Sequence, residues 1–362
     1  MLIHACVSGH GYGHGSRVAS VLTALHGLEP SWRLVLSTSL PRPFLELAFG
    51  PVPFELRPCR WDVGVIQADA LGADGPATLN AHEQLERDLP AQLEREVAWI
   101  RSQGEPLLLL GDVPPAAAEL AQRLAAPLVW MGNFGWDAIY RPMGGAFGAL
   151  ADRAQAAYRL GDALIQCPLA MPMPWDLPVT AVGLTAGRPR HRPEALRERL
   201  QLSEPREGTV MVAFGGLGLA LDSAPFARWP EHQFLVSDPA LAAAVGNAVL
   251  IPADLRPLEL LPLCGRVITK PGYSTFCEAL SLGTGIHLVQ RHGFAEAPVL
   301  EAALRRHGWH RLLSREQLER GDWQLDQPLL PPSTGPLPSG GEVDAAQRLR
   351  ELAIERSLLQ AR

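Results

Sequence analysis

Near its start the chain runs a mostly apolar stretch that reads as a buried strand, residues 2–8, into a loop with four glycines in seven positions, Gly9-His10-Gly11-Tyr12-Gly13-His14-Gly15. Residues 16–26 then place apolar side chains at helical spacing. A buried strand that breaks on glycines and opens a helix is the first step of a layered α/β domain. The steps continue. Strands are expected at 33–37 and 53–56, one long amphipathic helix at 78–103, a strand at 107–110 ending in Gly111-Asp112, a helix at 114–125 and a strand at 127–131. After an Arg/Pro-rich connection, 186–208, the pattern restarts: strand 209–214 ends in Gly215-Gly216-Leu217-Gly218, and further strands are expected at 233–237, 248–251, 266–269 and 286–290. The expected fold is therefore α/β, with two Rossmann-like doubly wound domains facing a cleft. The first covers 1–185 and the second 186–330; 331–341 is a linker, flexible by composition, and 342–362 a C-terminal helix.

A length of 362 residues is comfortable for two cores. The formal net charge of −6 argues against a general nucleic-acid binder. Five cysteines, odd in number, scattered and never in a Cys-x-x-Cys pair, fit reduced thiols in a cytoplasm better than a disulfide framework or a zinc site. No segment approaches the roughly 18 consecutive apolar residues of a membrane span, and no basic region marks a signal peptide at the N-terminus. The apolar stretch 40–54 leaves peripheral membrane contact open, and no function is assigned to it.

The first glycine loop offers backbone N–H groups at a helix start, which suits an anion or a closely approaching ligand. It is a poor dinucleotide fingerprint. Counted from Gly9, the third glycine of G-x-G-x-x-G falls on His14, and the second strand ends in Ser37-Thr38-Ser39 with no acid for a ribose. No Walker loop is present. His10 and His14 either satisfy backbone groups in a tight turn, or His14 serves as a general base with a proton affinity suited to neutral pH. Asp112, at the end of a strand, either orients His14 or is itself the base. Asn133-Phe134-Gly135-Trp136-Asp137 follows the next strand; Trp136 either stacks on a sugar or packs inside, and Asp137 either holds hydroxyls or caps a helix at 138–147.

In the second half, strand 266–269 leads into Lys270-Pro271-Gly272-Tyr273-Ser274-Thr275 and a helix carrying Glu278. Ser274 and Thr275 stand where N-cap residues belong. Such a helix end presents N–H groups, hydroxyls and the helix dipole to a diphosphate, and Glu278 one turn on can accept ribose hydroxyls. Lys270 is the only lysine in a chain of 32 basic residues. Gly216 and Gly218, after the first strand of the same half, flank the same phosphates in this reading.

With these residues in place, the chain resembles the GT-B glycosyltransferases, particularly the peptidoglycan N-acetylglucosaminyltransferase group. Their C-terminal turn and ribose-binding glutamate match Gly272, Ser274, Thr275 and Glu278, and their N-terminal glycine loop with its histidine matches residues 9–14. The chain is also similar to the glycosyltransferase-like N-terminal module of L-arabinokinases, on the stretches 9–17 (GHGYGHGSR), 111–121, 133–140 and 270–280 (KPGYSTFCEAL). No kinase-type phosphate loop is found in the sequence, so the transferase-like module is expected to stand alone. The resemblance implies a nucleotide-sugar, UDP-linked by expectation, bound by the second domain through Gly216, Gly218, Lys270, Gly272, Ser274, Thr275, Glu278 and Glu296. It implies a hexosyl or N-acetylhexosaminyl transfer to an acceptor on the first domain, near His10, Gly13, Asn133 and Trp136, with His14 or Asp112 as base. The glutamine that often follows the acid of such donor sites is missing after Glu296. No Asp-x-Asp triplet occurs, so no metal and no cofactor beyond the nucleotide-sugar are expected, and the transfer is expected to invert by direct displacement. Two alternatives remain, a non-catalytic nucleotide-sugar binder and a nucleotide-sugar 2-epimerase.

Overall fold

The computed structural model describes residues 1–67, 74–215, 221–291 and 293–360, without the side chains of 356–360. The described residues fall into two compact units, one of 1–67, 74–185 and 340–360, the other of 186–339.

The first unit runs β1 (Leu2–Val7), α1 (Tyr12–Leu28), β2 (Arg33–Thr38), α2 (Arg42–Phe49), β3 (Glu55–Pro58), α3 (Gly75–Gln103), β4 (Leu107–Asp112), α4 (Ala117–Leu124), β5 (Leu128–Gly132), α5 (Trp136–Tyr140), α6 (Phe147–Tyr158), β6 (Ala163–Gln166) and β7 (Val179–Ala181). The strands form one parallel sheet in the order β3-β2-β1-β4-β5-β6-β7. All of β1 is buried, with β2 on one side and β4 on the other. A strand covered on both faces is apolar at nearly every position rather than at alternate ones, which explains the opening run of the sequence, with the buried His4 as its exception.

The second unit runs α7 (Pro193–Arg199), β8 (Thr209–Ala213), β9 (Gln233–Val236), α8 (Pro239–Ala244), β10 (Ala248–Leu250), α9 (Pro257–Leu260), β11 (Arg266–Thr269), α10 (Tyr273–Ser281), β12 (Gly285–Val289), α11 (Ala297–His307), β13 (His310–Leu313) and α12 (Arg315–Arg320). Its six parallel strands are ordered β10-β9-β8-β11-β12-β13. Edge-to-face contacts among Phe226, Phe234 and Trp323 anchor the core on one side of this sheet.

Several elements differ from the sequence expectation. Short β6, β7 and β13 escape periodicity because three or four residues carry too little pattern. The helix expected at 138–147 is split. It starts at Trp136 with Gly135 as N-cap, ends at Tyr140, and resumes at Phe147 after Pro142 and the left-handed pair Gly144-Gly145. Asp137 therefore sits in the first turn of α5 and caps nothing beyond it. The Pro/Ser/Gly tract lies along α11: the amides of Ser333 and Thr334 donate to the carbonyls of Arg305 and Arg306, at 3.1 and 2.8 Å. Helix α13 (Gly341–Gln360) then packs on α1 of the first unit through buried Ala345, Ala346, Leu349 and Ala353, with Arg350 paired to Glu29 at 2.5 Å.

In each sheet the strand order reverses at one place, between β1 and β4 and between β8 and β11. At such a switch point the connections leave in opposite directions and open a crevice at the carboxyl ends of the strands, where open α/β sheets bind ligands. His14 and Asp112 follow or end the first pair of strands. Lys270 and Gly215 follow the second.

Candidate functional site

Gly11 begins α1 at φ 89°, a left-handed conformation that favours glycine. The helix starts at Tyr12, earlier than apolar spacing indicates, because Gly13 and Gly15 are themselves helical. This places His14 in the first turn and Arg17 one turn later, both turned toward the sheet. His14 is 7% exposed, and its Nδ1 lies 2.7 Å from Oδ1 of the wholly buried Asp112. An ionised carboxylate only accepts, so this bond puts a proton on Nδ1, and in the neutral ring the lone pair is then on Nε2. Burial alone would push the Asp112 carboxyl up. The charge and hydrogen bonds of Arg17, with the bond from His14, outweigh it and hold the group below the usual carboxylate range. Arg17 donates from Nε to Oδ2 at 2.8 Å, from Nη2 to Oδ1 at 2.7 Å and from Nη1 to the Asn133 Oδ1 at 2.7 Å. The next residue, Val113, is a β-branched side chain at φ 63°, a strained conformation immediately beside Asp112.

A second acid reaches the same end of the sheet from the coil after β3. Asp62 accepts from Trp136 Nε1 at 2.7 Å, and its other oxygen is buried without a hydrogen-bond partner among the described residues. Burial pushes its carboxyl up, against the opposing pull of Ser8, His14, Trp136 and Gly9. The same coil supports the glycine loop. Val65 N donates to His10 Nδ1 at 3.3 Å, and Gly64, at φ 66°, lies so near the His10 ring that a Cβ there would come within 2.4 Å of it.

The structure thus brings His14 and Asp112 together, with Asp112 fixed too deeply to act as base itself. His10 stands edge-on to Trp136 at 5.2 Å, and Gly13 is half-buried in the first turn of α1. Two acceptor assignments are corrected. Asn133 is wholly buried and engaged by Arg17, so it supports the site from behind. Trp136 is 0% exposed, stacked on Tyr140 at 5.7 Å and edge-on to Phe134 at 5.2 Å, and so forms a wall instead of a stacking platform. The exposed aromatic of this region is Tyr12, stacked on Phe44 at 4.3 Å. Arg17 and Asp62 are the residues that sequence reasoning missed. A charged residue one turn from His14, on the helix face that carries Val18 and Val21, needs a buried partner, and that was the available signal for Arg17.

In the second unit, Thr269 ties β11 to β8 by donating to the Ala213 carbonyl at 2.6 Å. A Cβ on Gly215 would stand 3.8 Å from Lys270 Cε, so Lys270 adjoins the loop after β8. Gly216 and Gly218 lie outside the described residues. Burial, then the charge of Arg291, lower the Lys270 ammonium to about 8. Gly272 is the N-cap of α10 with no side-chain cap, so Ser274 and Thr275 are first-turn residues rather than caps. Glu278 is 9% exposed, and burial pushes its carboxyl up to about 8 despite the pull of Arg256. Glu296 stands at the N-cap of α11, nine-tenths buried, near Phe294, whose ring lies under the Arg291 guanidinium at 4.2 Å. Among the described residues no three His, Cys, Asp or Glu side chains form a metal-ligand set, and no helix is long and apolar enough to cross a membrane. All five cysteines are buried and outside any disulfide.

No protein-family model matches the chain. It is 27% identical over 360 residues to an L-arabinokinase of Arabidopsis thaliana, with 97% of this chain aligned to 34% of that protein, so it spans about a third of the relative's length. Two plant structures are similar over nearly the whole chain. One is UGT2 of Phytolacca americana, complexed with UDP-2fluoro-glucose and pterostilbene, with a TM-score of 0.62, 15% identity and coverage of 97% of this chain and 94% of that one. The other is a UDP-glucosyltransferase of Polygonum tinctorium capable of glucosylating indoxyl, with a TM-score of 0.60, 16% identity and coverage of 97% and 93%. Taken with the two parallel sheets and their paired switch points, these likenesses establish that the chain has the GT-B fold.

Proposed function

We propose that the protein is a glycosyltransferase that moves a sugar from a nucleoside-diphosphate donor, UDP-linked, to an acceptor hydroxyl. The observation that carries this reading is the His14–Asp112 pair, an imidazole whose Nδ1 is committed to a buried carboxylate, at the switch point of the first sheet. In the reaction His14 Nε2 takes the acceptor proton as the new C–O bond forms. The bond from the anomeric carbon to the phosphate oxygen breaks with its electron pair, and the anomeric configuration inverts. Lys270 and the N–H groups at the start of α10, with the hydroxyls of Ser274 and Thr275, stabilise the departing diphosphate. That fixed positive charge serves in place of a divalent ion. Glu278 accepts the ribose hydroxyls and Glu296 the sugar hydroxyls. Tyr12 and His10 are the residues of the first unit offered to the acceptor.

The test is thermal unfolding with UDP, GDP, dTDP, ADP and NADH in turn, without metal. A ligand at a hundredfold excess over its dissociation constant stabilises by about 2.7 kcal/mol. A shift with one nucleoside diphosphate, lost in Glu278→Ala, is expected. A shift with NADH alone, or with none of the five, overturns the donor site.

A further inference from the structure

We propose that Arg17 is a positioning residue for the base: it grips both oxygens of Asp112 and sets its own charge beside His14, so that the imidazole stays neutral with its Nε2 lone pair available. The inference rests on the reading of His14 as base.

A buried carboxylate 2.7 Å from an imidazole does more than orient it. Unopposed, it favours the imidazolium, because opposite charges attract strongly where water is excluded. An imidazolium has no lone pair with which to accept a proton. Asp112 would then hold the ring in the correct orientation and the wrong protonation state. Arg17 resolves this conflict. Its Nη2 is 3.3 Å from His14 Nδ1 and 2.7 Å from Asp112 Oδ1, so a positive and a negative group face the ring at comparable range. The guanidinium is fixed by its fork on Asp112 and by Asn133 Oδ1 at 2.7 Å, which gives the buried Asn133 its use.

The other groups facing His14 do not supply this opposition. From the coil after β3 comes Asp62, an acid whose carboxyl burial favours the neutral form. From the β5–α5 connection come the Phe134 and Trp136 rings, at 5.7 and 6.2 Å. From the loop after β1 comes His10, set against Trp136. Arg17 is the one cation in contact with the ring among the described residues.

A purely structural Arg17 would neutralise Asp112 without affecting His14. The experiment separating these roles is long-range proton–nitrogen NMR of the histidine rings in the full-length, uniformly nitrogen-15-labelled protein, with the His14 signals identified by their loss in His14→Gln. At pH 7 the wild type is expected to show His14 neutral, with its proton on Nδ1. In Arg17→Met the ratio of imidazolium to neutral ring is expected to rise at least tenfold. The double variant Arg17→Met/Asp112→Asn removes both charges and is expected to return the ratio to within twofold of wild type. It also serves if Arg17→Met fails to fold. A folded Arg17→Met within twofold of wild type overturns the proposal, as does a double variant displaced tenfold or more. Because none of these readouts requires turnover, a protein that shows the expected ratios and transfers no sugar would sink the proposed reaction and leave the role of Arg17 standing.

Discussion

At the β1/β4 switch point the central charges are bound to one another. Asp112 is bound by His14 and on both oxygens by Arg17, and Arg17 is bound in turn by Asn133. At the β8/β11 switch point burial works against two charges. Glu278 accepts no side-chain hydrogen bond among the described residues and its carboxyl is pushed up to about 8, while Lys270, beside the cationic Arg291, is lowered to about 8. The two crevices share one topology and differ in what acts on their charges, mutual pairing of Asp112 with Arg17 and His14 in the first and burial of Glu278 and Lys270 in the second. A preorganised, fully bonded group suits a proton transfer, because nothing needs to rearrange when charge develops. An acid and a base that are both costly to ionise suit a ligand that brings hydroxyls for one and phosphates for the other.

The severest way to break this contrast is His14→Ala. Sugar transfer is expected to fall by about 10²–10⁴-fold, while UDP binding stays unchanged by titration calorimetry. Transfer that survives the change means that the first crevice is no chemical centre, and a parallel loss of UDP binding means that the division of labour is wrong.

Glu278→Gln comes next. The folded protein keeps a proton on Glu278 up to about pH 8, whereas the unfolded chain releases it near the usual 4.5. Unfolding between those values therefore releases a proton. Stability is expected to fall as pH rises through that window and to level off above it, by on the order of a few kcal/mol. Urea midpoints measured from pH 5 to 8 should show that decline in the wild type and a flatter profile in Glu278→Gln. Equal slopes would mean that Glu278 is ionised and already compensated.

Lys270 sharpens the contrast from the ligand side. UDP affinity is expected to weaken as pH rises past about 8, where the ammonium is lost, and Lys270→Met is expected to cost about tenfold at pH 7, near 1.4 kcal/mol. A calorimetric affinity flat from pH 7 to 9 would remove Lys270 from the phosphate site. The smallest effect concerns the hydroxyls. Since neither Ser274 nor Thr275 caps α10, replacing either by alanine is expected to change stability by less than the ~1 kcal/mol of a lost N-cap, as read by thermal unfolding.

The sequence reveals the fully buried strands well, because β1, β4 and β8 are apolar at nearly every position and end in glycines or an acid. His14, Asp112, Lys270 and Glu278 could be read for the same reason, since each adjoins a clear strand end or helix start. Features that depend on contacts distant in the chain were hidden. Arg17 becomes informative only when Asp112, 95 positions away, is brought to it. Asp62 lies in a coil with no periodicity, and Trp136 looks like a sugar platform until Tyr140 and Phe134 close over it. The split of α5 from α6 is carried by Pro142 and Gly144-Gly145, which helical spacing alone does not register.

Helix α13 sets an order of events during synthesis. The strands of the first unit leave the ribosome before the helix that covers α1, because that helix is encoded after the second unit. At about 5–20 residues per second, the roughly 150 intervening residues take on the order of 10–30 s to make. For that interval the apolar flank of α1 has no cover from its own chain. The nascent first unit therefore waits for residues 341–360, and a stop codon ahead of them would damage a part translated earlier.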